Sequence, residues 1–417
     1  MPSRRNFLKA SAASLAAAPL VNAHVGGGDT LKVGLVGCGN RGSGAIQDAL
    51  GADPNVKLWA LADAFGDRLE SCLEKTKKAF PNKIDITSER CFTGLDGYKH
   101  LIDSGVDVVL LCSPPGFRPE HLRYAVEKKK QIFCEKPMAV DATGVRSVLE
   151  TAKLAKEANL NIVSGFCYRY DLPKVETIKR LHDGAIGDIL AIHTTYLTGY
   201  LWAYDRQPGW SDTEYQIRNW LYYTWLSGDH IVEQHIHSLD KAAWALGDKY
   251  PISATGVAGR QTRIEDKWGH IFDHFATVFE YPKGVKVFSF CRQINGCDGG
   301  TDDFVLATKG QANIQRHVIE PTGEPKWKYD GPAPVMYQQE HNELFQAIRS
   351  GKTINQGEQM AYSTLMGIMG RMAGYTGKKV TWQQALNSKE DLMPKDLDMK
   401  GSLPFPEVAR PGKTKLL

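Results

Sequence analysis

Two short stretches of the chain carry side chains able to move a proton. The first runs Ser227-Gly228-Asp229-His230-Ile231-Val232-Glu233-Gln234-His235-Ile236-His237 and continues to Asp240. Glu233 and His237 are four residues apart, so on a helix they share one face and can meet. A histidine is a natural base for an alcohol proton near neutral pH, and a neighbouring carboxylate can fix its tautomer. Two other readings stay open: a metal held by the three histidines and Glu233, or a purely structural His237. No CxxC pair or His/Cys cluster has zinc-ligand spacing, and no metal is expected. The second stretch is Cys134-Glu135-Lys136-Pro137, which ends an apolar run. If that run is a strand of a parallel sheet, its carboxyl end is where ligands bind, and Lys136 is badly placed there for mere solubility.

Elements able to position these residues follow from the apolar pattern. Runs at 31–36, 56–62, 106–112, 131–134 and 161–165 alternate with amphipathic stretches such as 121–130 and 143–158. Short β-rich runs, each followed by a helix, predict a doubly wound parallel sheet. The first run enters Gly37-Cys38-Gly39-Asn40-Arg41-Gly42, a G-x-G-x-x-G between strand and helix, the context in which this pattern binds a dinucleotide. Gly37 permits the tight turn, Gly39 lets the pyrophosphate approach, and Gly42 lets the helix pack close. The helix start at Asn40 and Arg41 then faces the phosphates. Asp63, closing the second run, is placed to accept hydrogen bonds from the adenosine ribose and to repel a 2′-phosphate, which favours NAD over NADP. Arg68 either reaches a phosphate or is a solvated helix residue.

After about residue 170 the rhythm changes. Strand-like runs at 189–196, 252–259, 276–281, 285–290 and 304–308, with turn signals such as Pro282-Lys283-Gly284, predict an antiparallel meander. Helices are expected at 337–350 and 358–376, closing the second domain or returning to the first. A chain of 417 residues exceeds what one core usually serves. The expectation is an α/β protein: an N-terminal Rossmann domain over 31–165, an α+β domain with an open antiparallel sheet over 166–390, and a tail over 391–417 that wraps the surface.

Together with the glycine turn, Cys134-Glu135-Lys136-Pro137 resembles the glucose–fructose oxidoreductase / inositol dehydrogenase (Gfo/Idh/MocA) family, a likeness extending over essentially the whole chain beyond its first segment. The resemblance implies that Lys136 lies between nicotinamide and substrate and hydrogen-bonds the reacting hydroxyl. It also implies that Glu135 helps to place the cofactor, and that the Lys136–Pro137 bond is often cis. Ser113-Pro114-Pro115 is similar to the family's loop beside the nicotinamide ribose. His121 falls where the family often has a histidine opening the next helix, though it equally suits a cap or a core. Glu233 and His237 occupy the family's acid and histidine positions. The family more often has Asp there, so Glu233 either orients His237 or contacts substrate itself. Within Phe166-Cys167-Tyr168-Arg169-Tyr170, Arg169 keeps an arginine found near the substrate, whereas Tyr168 departs from the family's usual residue and is a candidate substrate contact. Asp240 binds substrate or caps a neighbour. The family's open sheet often pairs subunits, which implies a homodimer or homotetramer.

Between Tyr200 and Trp225 lie nine aromatic residues, among them Trp202, Tyr204, Trp210 and Trp220. Aromatic faces pack on the C–H faces of sugars, which makes Trp220 a candidate substrate contact. A subunit interface or a hydrophobic plug fits the same composition. A formal charge of +4 without a dense basic tract argues against nucleic acid. Ser3-Arg4-Arg5-Asn6-Phe7-Leu8-Lys9, the apolar stretch 10–21 and Val21-Asn22-Ala23 read as a twin-arginine export signal over 1–23, too short for a membrane span. Of the eight cysteines, only Cys291 and Cys297 are spaced to invite a pairing.

The activity these features predict is hydride transfer between a hydroxyl-bearing carbon of a sugar or polyol and NAD, in an extracytoplasmic compartment. One alternative keeps the site but regenerates NAD in every cycle and cleaves a glycoside, which suits an exported protein cut off from cellular cofactor. A lesser alternative is a non-catalytic dinucleotide sensor, against which Lys136 and His237 argue.

Overall fold

The computed structural model describes residues 29–417, so the export signal expected over 1–23 lies outside the described residues. Six parallel strands form the first sheet: β1 (Leu31–Val36), β2 (Val56–Asp63), β3 (Cys91–Thr93), β4 (Val108–Leu111), β5 (Gln131–Cys134) and β6 (Ile162–Ser164). Helices α1 (Asn40–Ala52), α2 (Gly66–Ala79), α3 (Gly97–Asp103), α4 (Arg118–Glu127) and α5 (Ala142–Glu157) connect them. The strand order is β3-β2-β1-β4-β5-β6, so the chain reverses direction across the sheet between β1 and β4 and opens a crevice there. Alternate residues feed two cores. Leu31, Val33 and Leu35 face Ile46 and Leu50 of α1, while Val36, Val109 and Leu111 face the layer of α3, α4 and α5. Burial on both faces explains why these strands read as continuous apolar runs.

After α6 (Leu172–His182) comes a nine-stranded sheet. Its strands are β7 (Ile189–Thr198), β8 (Ser253–Gly259), β9 (His274–Glu280), β10 (Lys286–Gln293), β11 (Gly300–Ala307), β12 (Gly310–Asn313), β13 (Val318–Pro321), β14 (Trp327–Lys328) and β15 (Val380–Thr381). They lie in the order β14-β13-β12-β11-β7-β10-β9-β8-β15. The sheet is mixed rather than wholly antiparallel, because β7 and β10 run parallel. The cause is the long excursion between β7 and β8, through α7 (Asp212–Arg218), α8 (Thr224–Ser227), α9 (His230–Glu233) and α10 (Ile236–Ala245). Such a crossover is what a parallel neighbour requires. The two-residue to four-residue strands β3, β12, β13, β14 and β15 were not expected, since runs so short carry no periodicity.

Helix α11 (Met336–Ser350) returns to the first sheet, where Leu344, Phe345 and Ile348 join the core of β1 and α1. Helix α12 (Gly357–Thr376) packs on α5 and beneath β8 and β9, and α13 (Trp382–Leu386) follows β15. The tail packs Leu392, Met393, Leu397, Met399 and Leu403 against the aromatic segment. All eight cysteines are free: Cys291 is buried on β10 and Cys297 is exposed in the turn beyond it, so the two do not pair. Among the described residues no helix is long and apolar enough to cross a membrane.

Candidate active site

A cleft of about 860 Å³ lies along the carboxyl ends of the first sheet's strands, a size suited to a large ligand. Gly37, Gly39, Asn40, Arg41, Gly42, Asp63, Arg68, Ser113, Pro114, His121, Glu135, Lys136, Glu233, His237 and Trp220 all line it. Fifteen positions scattered over two hundred residues of sequence thus meet in one place.

The glycine turn is built for close approach. Gly37 has φ +95°, and a Cβ there would fall 2.5 Å from the Ser113 nitrogen. A Cβ at Gly42 would fall 1.8 Å from the Gly37 oxygen, so α1 can begin only against a glycine. At Gly39 the nearest neighbour is an Arg68 guanidinium nitrogen at 3.7 Å, which leaves the backbone open to the cleft. Gly39 caps α1 without a side-chain hydrogen bond, so the first N–H groups of the helix are free to meet a phosphate. At the end of β2, Asp63 accepts hydrogen bonds from the Cys38 nitrogen at 2.6 Å and the Phe65 nitrogen at 2.9 Å. Burial raises its carboxyl and these N–H groups oppose the shift. Pinned in this way, each oxygen still keeps a lone pair for a ribose hydroxyl. The cradle therefore fits a dinucleotide.

Arg41 departs from expectation. Its guanidinium is taken up by Glu135 on one side and by Glu340 of α11 on the other, under the Tyr337 ring at 4.6 Å. Its side chain thus joins three distant segments at the wall of the cleft. Glu135 also accepts from the Lys136 nitrogen at 3.1 Å, and burial pushes the Glu340 carboxyl well above the usual range. Neither Glu340 nor Tyr337 was predicted. They lie about two hundred residues beyond Glu135, and no motif marks them.

Lys136 precedes Pro137 through a cis peptide bond. Its ammonium donates to the Glu233 carboxylate at 2.7 Å and to the Glu233 carbonyl oxygen at 2.6 Å. An ammonium has three donors, so one remains for another oxygen. Glu233 therefore holds Lys136 rather than His237. The expected single helix is broken at Gln234 and His235, which leaves Glu233 at the end of α9 and His237 at the start of α10. His237 is positioned by the edges of Tyr168 (5.2 Å between ring centroids) and Phe166 (6.2 Å). Its Nδ1 is buried and has no hydrogen-bond partner among the described residues. Burial, followed by the charges of Lys136, Lys241 and Arg41, holds its pKa well below the ordinary value, so the ring is neutral.

His121, His230 and His235 each have a partner of their own. His121 is buried, stacks on Tyr98 at 4.0 Å and lies 3.1 Å from the Ser113 hydroxyl through Nδ1; burial lowers its pKa to about 3. His230 pairs with Asp229 at 2.8 Å, and His235 meets the Ser289 hydroxyl at 2.7 Å. Among the described residues no group of His, Cys, Asp and Glu is arranged to hold a metal. Arg169 and Asp240 form a two-pronged ion pair at 2.8 and 2.9 Å, backed by Ser363 and Gln359, and neither lines the cleft. They brace α10 against the segment before α6, a correction to their expected role at the substrate. Tyr168 lies behind His237, outside the cleft lining.

A glycine cradle, an acid closing β2 and a lysine beside a neutral histidine together make a site that fits a nicotinamide dinucleotide. Residues 31–163 match the Gfo/Idh/MocA family model, described as the oxidoreductase family with NAD-binding Rossmann fold. It is 26% identical over 235 residues to an inositol 2-dehydrogenase of Rhizobium meliloti, an alignment covering 55% of this chain and 58% of that protein. It is 23% identical over 356 residues to a myo-inositol 2-dehydrogenase of Thermotoga maritima, covering 84% and 96%. The alignments with the Rhizobium protein and with an Escherichia coli 2,7-anhydro-N-acetylneuraminate hydratase span only 58% and 44% of those relatives. The apo scyllo-inositol dehydrogenase of Lactobacillus casei superposes with a TM-score of 0.65 at 17% identity, over 85% of this chain and 99% of that one. That likeness establishes the shared fold.

Proposed function

We propose that the protein oxidises a hydroxyl of a sugar or polyol, or reduces the corresponding carbonyl, with Lys136, Glu233 and His237 at the reacting carbon. The observation carrying this reading is the unused donor of Lys136 beside the neutral ring of His237, both in the cleft that holds the glycine cradle. A nicotinamide dinucleotide held by Gly37, Gly39, Gly42 and Asp63 would supply the acceptor, or the donor, for the hydride of the reacting carbon. His237 takes the hydroxyl proton, since only its neutral form can accept one. Lys136 donates a hydrogen bond to the substrate oxygen and stabilises the negative charge that builds there. Glu233 keeps the ammonium aimed across the cleft. The relatives named above as acting on inositols support a polyol substrate. The test is to supply NAD and a panel of polyols, aldoses and glycosides, following reduced nicotinamide and products together. Lasting reduction supports the reading; release of an aglycone without net reduction replaces it with redox-cycling glycoside cleavage.

Because the folded pKa of His237 lies below its ordinary value near 6.5, its basic form persists as pH falls through that value. The acid limb of kcat/KM is therefore expected below the ordinary histidine value of about 6.5. A limb at or above 6.5 would remove His237 from the role of base.

The outer face of the second sheet leaves Leu190, Phe288, Phe290, Phe304 and Leu306 more than a third exposed, at neighbouring positions of β7, β10 and β11. Apolar patches of this kind mark contact surfaces, and this one supports pairing with a second copy through the sheet. Phe290→Glu is expected to shift the native mass measured by light scattering to that of a monomer, whereas an unchanged mass refutes pairing through this face.

A further inference from the structure

The cleft follows the strand ends from β2 to β5, three strand spacings or about 14 Å, and its two ends meet different parts of the second half of the chain. Over β5, Glu233 reaches Lys136. Over β2 the contact comes from α7, where Arg218 donates to both carboxylate oxygens of Asp67 at 3.1 and 3.3 Å. The same guanidinium lies 3.9 Å from the Phe65 ring centre and 5.0 Å from that of Trp210. Trp220 packs in one cluster with Phe65, Leu95 and Phe117, all from the first sheet's loops. Between the two ends, the Trp225 carbonyl sits so close to Gly116, beyond β4, that a Cβ there would lie 2.1 Å away. The tail backs this arrangement, with Ser402 donating to Asp212 at 2.8 Å and Gln216 donating to the Leu403 oxygen at 3.2 Å.

Asp63 marks the adenosine end of the site, and the aromatic segment sits over that end, away from Lys136. We propose that residues 200–225 form a cover over the adenosine half of the dinucleotide site, latched by Arg218 onto Asp67 and Phe65, and that this cover slows release of the dinucleotide. The inference rests on the assignment of NAD as cofactor. The chemistry suits a purine: Trp210 and Trp220 line the cleft with flat indole rings on which a base can stack, and a base offers a π-face that a sugar lacks. A monosaccharide with its hydroxyl at Lys136 lies at the opposite end of the cleft.

The test is made on the full chain loaded with NADH, following its fluorescence while excess NAD displaces it. Arg218→Gln and Trp220→Ala are each expected to release NADH about tenfold faster than the wild type, in line with the loss of one stacked, paired cation or one base stack. Asp67→Asn, a change at a side chain 64% exposed, is expected to hasten release too. The Asp67→Asn/Arg218→Gln pair should not act additively, because both act through one contact. Release at the wild-type rate from all of these variants overturns the proposal. So does a Trp220→Ala variant that raises KM for the sugar and leaves NADH release unchanged, since that is the behaviour of a sugar platform. A wild-type protein that binds no NADH would instead remove the cofactor assignment itself.

Discussion

Replacing Lys136 with methionine is expected to lower turnover by about 10²- to 10⁴-fold while changing the affinity for NAD by less than a few fold. The ammonium is held at 2.6 and 2.7 Å by the carbonyl and the carboxylate of Glu233 and spends two of its three donors there. In the proposed reaction its third donor meets the substrate oxygen, on which charge builds only as the carbon–hydrogen bond breaks. The loss should therefore fall on kcat, with the dinucleotide cradle at Gly37, Gly39 and Asp63 untouched. Single-turnover hydride transfer, measured beside NADH binding by fluorescence, separates the two. A variant with full turnover would remove Lys136 from the reaction. A parallel collapse of cofactor affinity would recast it as a binding residue. Glu233→Gln should cost less than Lys136→Met, since the amide still accepts a hydrogen bond from Lys136.

The largest effect on stability is expected at Arg41. Glu135 and Glu340 are both almost wholly buried and share this one guanidinium. Removing one partner of a buried ion pair leaves an uncompensated charge and typically costs about 3–5 kcal/mol. Arg41→Met should therefore lower the midpoint of denaturant unfolding sharply, and adding Glu340→Gln should recover part of the loss. The pH dependence has a definite sign. Burial already raises the folded pKa of Glu340 above its unfolded value near 4.5, and without Arg41 the shift grows. A carboxyl raised on folding favours the native state at low pH and loses that advantage as pH rises through the folded pKa. The Arg41→Met defect should thus be greater at pH 8 than at pH 5. Equal defects at both values, or no gain from Glu340→Gln, would show that Arg41 acts only through packing.

These two residues show what the amino-acid sequence determined by itself and what it left to the tertiary structure. The glycine turn, Asp63 closing β2, the parallel strands and Lys136 at the end of β5 were legible because each is dictated by neighbours within a few residues. A close backbone approach needs glycine, a doubly covered strand needs a continuous apolar run, and a strand end in such a sheet faces the crevice. The partners of those residues were not legible. Spacing alone put Glu233 beside His237, but the chain breaks between α9 and α10 and turns the carboxylate to Lys136, 97 residues away in sequence. Arg41 looked like a phosphate ligand until α11, almost 300 residues later, brought Glu340 against it. Arg169 and Asp240 looked like substrate contacts and satisfy each other instead. The composition of the aromatic segment suited a sugar surface, a subunit interface or a plug alike, and only the tertiary structure brought Arg218 against Asp67 and Phe65. Local backbone geometry is set by short-range sterics and hydropathy, which sequence patterns record. The choice among several possible partners for a charged or aromatic side chain is made by long-range packing, which no spacing rule encodes.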